Sequence, residues 1–216
     1  MSNTAAISRV HFPVTTLGPG NRLGIWFQGC SIRCPGCISM DTWHRKTDRI
    51  SVSELLSSVS EYARVAAGVT ISGGEPFDQP EALGELLKGL PLVLKPRSDV
   101  LVYSGLPFAS LVPWLVEWQG LVDVVISEPF DEAAPQARPL MGSDNQHLHA
   151  LTSLGHERFA EYLRPRDSRD NRLDVMFDED GTAWMAGIPR RGDLERLRTL
   201  LAAQGTVIHT TEQAIR

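Results

Sequence analysis

The sequence predicts an α/β fold, and three features carry that prediction. Four apolar runs, Leu23 to Gln28, Val69 to Ser72, Val100 to Tyr103 and Leu121 to Ile126, read as buried strands. The segments from Ser51 to Gly68, Glu81 to Leu90 and Phe108 to Trp118 place apolar residues at helical spacing, so strands alternate with helices. The residues that bear chemistry follow directly on strand ends, at Gly29 and at Gly73-Gly74, and parallel α/β folds assemble their sites at that end.

Taken in order, His11 to Val14 forms a short first strand, and the Gly18-Pro19-Gly20 turn delivers the chain into Leu23 to Gln28. A first helix, capped by Ser53, carries Leu55, Leu56, Val59 and Tyr62 and ends at Gly68. Val69 to Ser72 is the next strand and runs into Gly73-Gly74-Glu75-Pro76. Asp78 reads as a helix cap and Pro80 as a first-turn residue of a helix that packs through Leu83, Leu86 and Leu87. After the strand Val100 to Tyr103, the helix from Phe108 to Trp118 aligns Leu111, Trp114, Leu115 and Trp118, with Pro113 in its first turn. The strand Leu121 to Ile126 leads to Ser127-Glu128-Pro129-Phe130. The run Met141 to Gln146 reads either as an Asx-capped helix start or as amides free to bind a ligand or neighbouring loop. Arg164 to Arg172 is a charged, proline-interrupted linker. Beyond it, Leu173 to Phe177 and Thr182 to Ala186 form a hairpin through Asp178 to Gly181, followed by a helix from Asp193 to Ala203 and a last short strand at Thr206 to His209. His147, His149 and His156 read as surface or core residues, and the chain contains no internal repeat.

At 216 residues and 42% hydrophobic composition the chain can bury a substantial core. A net charge of -5, with Lys and Arg scattered along the sequence, excludes nucleic acid as an expected partner. No apolar run reaches membrane-spanning length, and the polar start Met1-Ser2-Asn3-Thr4 is unlike a secretory signal, so a cytoplasmic protein is expected.

All three cysteines, Cys30, Cys34 and Cys37, lie on one short loop. Their C-x3-C-x2-C spacing lets three thiolates meet one inorganic centre, with Pro35 and Gly36 making the tight turn. Three ligands leave one iron of a four-iron cube open to a small molecule. The same thiols with His44 would also suit a structural zinc site, and inert buried thiols are the blandest reading. Gly73-Gly74 lets a ligand approach the backbone closely, and Glu75 just beyond can receive an amine; a plain strand-to-helix turn with Glu75 as cap is the structural alternative.

Together these residues resemble the radical S-adenosyl-L-methionine (SAM) enzymes, and most of all the activating proteins of anaerobic ribonucleotide reductase. Gly18-Pro19-Gly20, Arg22, Phe27, Gly29-Cys30, Cys34-Pro35-Gly36-Cys37 and Thr42-Trp43 carry that resemblance, which covers roughly residues 10 to 152. It implies an incomplete TIM-like β/α barrel at residues 1–155, with residues 156–216 added as a small α+β appendage. It implies a 4Fe-4S cluster on Cys30, Cys34 and Cys37, and SAM held by Gly73, Gly74 and Glu75 in a cleft lined by Tyr103 and Ser104. It also places Arg22 near the cluster loop, although a solvated strand-edge arginine accounts for that residue without a role. No side-chain acid or base is required for the first step. The implied partners are a glycyl-radical enzyme and an electron donor such as flavodoxin or ferredoxin. Ser127-Glu128-Pro129 departs from the family's Asp-Gly turn before Phe130, which leaves direct modification of a small molecule or peptide as an alternative and a noncatalytic iron-sulfur or zinc module as a second.

Overall fold

The computed structural model describes residues 2–44, 47–177, 179 and 182–207. Its centre is a six-stranded open sheet. Strands β1 (Thr4–Ala5), β2 (Ile7–Val14), β3 (Arg22–Phe27), β4 (Ile50–Ser51) and helix α1 (Val52–Ala63) open the chain. There follow β5 (Gly68–Gly73), α2 (Pro80–Val93), β6 (Asp99–Tyr103), α3 (Phe108–Glu117), β7 (Val124–Ser127), β8 (His147–Ala150) and α4 (Ser153–Phe159). The sheet order is β2-β3-β5-β6-β7-β8. β3, β5, β6 and β7 run parallel, and β2 and β8 flank them antiparallel. β1 and β4 make a separate two-stranded ladder.

The parallel strands are mostly apolar because both faces are covered, with buried Arg22, Thr70, Asp99 and Ser127 as polar exceptions. Leu23, Ile25, Phe27, Val69, Ile71, Val100, Val102 and Val125 pack under α1, α2 and α3 with Leu55, Val59, Leu83, Leu87 and Leu111. The opposite face carries Leu101, Val124 and Ile126, covered by Leu140, Met141 and Phe159. Each such buried aliphatic contributes about 1.5–3 kcal/mol.

Several boundaries differ from expectation. Ser51, not Ser53, caps α1: its hydroxyl accepts the Glu54 amide at 3.2 Å while the Glu54 carboxylate accepts the Ser51 amide at 3.2 Å. The Ser-x-x-Glu spacing makes that reciprocal pair possible. Helix α1 stops at Ala63, and Gly68 opens β5, where a Cβ would come within 2.7 Å of the Asp99 carbonyl. Pro113 sits in the interior of α3, not its first turn, because the helix starts at Phe108. β7 begins at Val124, since Asp123 turns aside to accept the Val100 amide at 2.8 Å. The Met141 to Gln146 run leads into a strand, β8, and no helix begins there.

Arg22 is neither solvated nor beside the cysteine loop. It lies fully buried at the N-terminal end of β3, with Nη2 2.6 Å from Asp99 Oδ1 and Nε donating to Thr70 Oγ1 at 2.6 Å. The loop begins beyond the strand's other end.

The later segment forms β9 (Leu173–Phe177) and β10 (Ala183–Gly187), an antiparallel hairpin, then α5 (Asp193–Ala203). The expected strand at Thr206 to His209 lies partly outside the described residues, and Thr206 and Val207 are not in a strand. The hairpin is fastened to the sheet's β2–β3 edge. Asp174 accepts the Thr15 amide and hydroxyl, both at 2.7 Å, and Trp184 packs edge-on against Trp26 at 5.5 Å.

Candidate metal and cofactor centre

The cysteine loop starts where β3 ends, and backbone bonds close it on itself. Gly29 donates to the Thr42 carbonyl at 2.7 Å and Cys30 to the Trp43 carbonyl at 3.2 Å. Gln28 Nε2 reaches the His44 carbonyl at 2.6 Å. Inside the loop the Cys37 amide donates to the Cys34 carbonyl at 3.1 Å, and Gly36 has φ +71°. Proline then glycine at the two central positions is the arrangement a type II turn needs. Asp78 does not cap α2, whose N-cap Gln79 makes no side-chain cap bond. Instead the Asp78 carboxylate receives the Ser31 amide at 2.7 Å and the Ser31 hydroxyl at 2.8 Å, tying the start of the loop down.

The diglycine turn lies directly against this loop. Gly74 donates to the Phe27 carbonyl at 2.8 Å and Glu75 to the Gly29 carbonyl at 2.9 Å. A Cβ on Gly74 would lie 2.0 Å from the Gly29 carbonyl oxygen, and one on Gly73, which has φ +104°, 2.4 Å from the Phe27 oxygen. The close approach that requires glycine here is therefore made by the chain's own backbone. The Glu75 side chain is buried and accepts three bonds: from the Phe77 amide at 3.0 Å, the Ser104 hydroxyl at 2.9 Å and the Gly105 amide at 2.8 Å. Burial pushes its carboxyl up to about 7 in spite of those donors.

Cys30, Cys34, Cys37, Gly73, Gly74, Glu75, Tyr103 and Ser104 all line one cavity of about 640 Å³. The Tyr103 hydroxyl donates to the Leu140 carbonyl at 3.0 Å, and burial raises its phenol well above the usual range. Ser104 spends its proton on Glu75 and accepts the Leu106 amide at 3.1 Å.

The donor set suits an iron-sulfur cluster. All three thiols are unbridged and half-buried, and burial raises each pKa, with the neighbouring thiols adding to the rise at Cys34 and Cys37. Backbone amides of Arg33 and Ile32 at Cys30, and of Ser39 at Cys37, act the other way, as donors to a thiolate should. The Trp43 indole Nε1 is buried without a partner of hydrogen-bond geometry, and it lies beside Cys37, lowering that thiol's pKa. Among the described residues no three His, Cys, Asp or Glu side chains converge on one ion. Zinc bonds of about 2.3 Å would draw thiols to within roughly 4 Å of each other, whereas each ligand of a cluster meets a different iron.

Further residues complete the cavity. Trp43, Phe130, Gln136 and Gln146 line it, and so do Ile188 to Gly192, Leu194, Glu195 and Arg198 from the C-terminal segment. Only Trp43, within the Thr42-Trp43 pair, and Phe130 and Gln146 carried a sequence signal.

The chain is similar to a described family and to several known proteins. A family described as "4Fe-4S single cluster domain" matches residues 16–149. The anaerobic ribonucleoside-triphosphate reductase-activating protein of Enterobacteria phage T4 is 28% identical over 62% of this chain and 87% of its own length. The protein of the same name from Vibrio cholerae is 26% identical over 66% of this chain and 96% of its own. The pyruvate formate-lyase-activating enzyme of Clostridium pasteurianum is 41% identical, over 33% of this chain and 32% of its own. Among solved structures, QueE from Escherichia coli overlaps 47% of this chain and 53% of its own at 20% identity, with a TM-score of 0.40. With its cysteine loop, its diglycine turn and a family match over most of its length, the chain belongs to the 4Fe-4S single cluster domain family and is a radical SAM enzyme of the activase-like kind.

Proposed function

We propose that this enzyme cleaves SAM reductively at a 4Fe-4S cluster and uses the product to generate a glycyl radical on a partner enzyme of the anaerobic ribonucleotide reductase type. The observation that carries the reading is the meeting of Cys30, Cys34 and Cys37 with Gly73, Gly74 and Glu75 in one cavity. In this reading Cys30, Cys34 and Cys37 would hold the cluster, which with SAM bound would supply reductive carbon–sulfur cleavage and hydrogen-atom abstraction, the electron coming from an external donor.

The chain's own residues bind, orient and shield. Gly73 and Gly74 hold the Glu75 turn against the base of the cysteine loop, so both halves of the site share one backbone support. A carboxylate has about four acceptor sites, and Glu75 uses three of them on its own chain, leaving one for the amine of SAM. Tyr103 and Ser104 form the neighbouring wall. The open sheet is read as an arc of an incomplete barrel whose mouth admits a partner's backbone. A cytoplasmic setting and an electron donor such as flavodoxin or ferredoxin complete the proposal; no described helix is long and apolar enough to cross a membrane.

One observation favours a second reading, direct action on a small molecule or peptide: residues 188–192, Leu194, Glu195 and Arg198 stand on the cavity wall. The test is anaerobic reconstitution with iron and sulfide, reduction with dithionite, and addition of SAM with an anaerobic ribonucleotide reductase from the same genome. The expected results are 5′-deoxyadenosine and a glycyl radical signal in the reductase. Zinc without a cluster, or a cluster that leaves SAM intact, overturns the enzyme reading; SAM cleavage with turnover of a small molecule and no radical in any reductase overturns the activase role.

A further inference from the structure

The family match ends at residue 149, yet the chain beyond it contributes to the cavity. After the β9–β10 hairpin, residues 188–192 cross the cavity's edge, and both side chains and backbone fasten them there. Gln136 Nε2 donates to the Pro189 carbonyl at 2.9 Å, Arg166 Nη2 to the Ile188 carbonyl at 2.6 Å, and Arg191 to the Ala134 carbonyl. Helix α5 then begins, with Leu194, Glu195 and Arg198 on the cavity side.

Arg164, Arg169 and Arg196, away from the cavity, each pair with an aspartate. Arg190, Arg191 and Arg198 line the cavity, are exposed, and form no ion pair among the described residues. Arg190 Nε bonds Asn171 at 2.7 Å and Arg191 bonds carbonyls, contacts that leave both charges in place. Against them on the lining stand the exposed carboxylates of Glu132 and Glu195. In a chain of net charge -5, three unpaired guanidiniums at one opening mark a place for an anion.

We propose that Arg190, Arg191 and Arg198 form a docking rim for an acidic polypeptide segment that enters the cysteine cavity. The inference rests on the reading above in which the hydrogen donor is a polypeptide, and it names that donor's chemistry. Three guanidiniums, two on the chain crossing the cavity's edge and one on α5, offer partners to several carboxylates at once, which a segment with more than one acidic residue supplies. Guanidinium forks bind such carboxylates bidentately.

The test uses full-length protein with reconstituted cluster and two fluorescein-labelled pentapeptides, EDGED and QNGQN, read by fluorescence anisotropy. EDGED is expected to bind at least about tenfold more tightly than QNGQN at about 50 mM salt, and to weaken as salt rises. R190E and R198E are each expected to weaken EDGED by about tenfold, while R196E, the same charge change on α5 away from the cavity, leaves its binding as in wild type. Equal binding of the two peptides, wild-type binding by both rim variants, an equal loss in R196E, or displacement of EDGED by citrate at equal concentration would each overturn the docking rim. SAM cleavage by the wild type, measured on the same preparation, keeps the two readings apart. Its absence removes the radical SAM proposal and leaves the peptide result standing.

Discussion

The amide of Glu75 donates to the carbonyl of Gly29 at 2.9 Å, one residue before the first cysteine, so the acid turn and the metal loop share a backbone bond. Gly74 sits over the same carbonyl. A methyl group there would lie 2.0 Å from the oxygen, and neither partner is a flexible side chain that could give way. Gly74→Ala is expected to destabilise the apoprotein by about 3 kcal/mol and to lower iron content after reconstitution, because the loop base must move. Urea unfolding and iron analysis check both. A variant with wild-type stability and full iron content would show that the turn and the loop are independent.

Glu75 gives a pH dependence with a defined sign. Its carboxyl is raised from 4.5 to about 7 by burial, so the folded state favours the protonated form. That contribution is complete below pH 4.5 and is lost as pH rises through about 7. At about 1.4 kcal/mol per pH unit it amounts to about 3 kcal/mol. The apoprotein is expected to be less stable in urea at pH 8 than at pH 5 by that order, and Glu75→Gln to flatten the difference. Because only ionised Glu75 attracts a cationic amine, SAM affinity of the reconstituted enzyme is expected to rise across the same interval in wild type and not in the variant. Isothermal titration at pH 6 and pH 8 reads it.

Asp78 separates loop anchoring from helix capping. Its two bonds to Ser31 are exposed, so Asp78→Ala is expected to cost only about 1 kcal/mol. The loop start, freed from its tether, should release iron faster to a chelator, while the far-ultraviolet circular dichroism of α2 stays unchanged. Lost helicity with normal iron retention would return Asp78 to the role of a cap.

Much of this organisation is legible in the sequence itself. The buried parallel strands announce themselves because residues covered on both faces must be apolar, and glycines mark where Phe27, Ser72 and Tyr103 hand over to loops. Helix α5 occupies its expected span, since Leu194, Leu197, Leu200 and Leu201 repeat on one face. The meeting of the cysteine loop with the diglycine turn followed from placing both at the same end of neighbouring strands. β8 stayed hidden because His147 and His149 stand at alternate positions where a strand pattern is read from apolar residues. His149 is accommodated by stacking on Phe108 at 3.8 Å and by a 3.0 Å bond to Ser127. The arginine wall was invisible for another reason: it depends on chain that returns to the cavity more than 150 residues after Cys30, through contacts no local pattern encodes.

Arg22 shows how a residue within a family-like motif can work far from the site. At the N-terminal end of β3 its guanidinium holds Asp99 on β6 and the carbonyl of Val69 on β5, at 2.6 and 2.7 Å, while Arg158 Nε of α4 approaches the other Asp99 oxygen at 3.0 Å. Four elements are thus stitched together beneath the sheet, at the opposite end from the thiols. Removing one member of a buried pair strands the other charge and costs about 3–5 kcal/mol. Because Arg158 still faces Asp99, Arg22→Met is expected at the lower end, about 3 kcal/mol by urea unfolding. Arg22→Met combined with Asp99→Leu is expected to recover part of that loss, since no unpaired carboxylate then remains. Iron bound per folded molecule should match wild type in both variants, measured at low temperature where each stays folded. Selective iron loss in fully folded Arg22→Met would place this arginine in the service of the cluster after all.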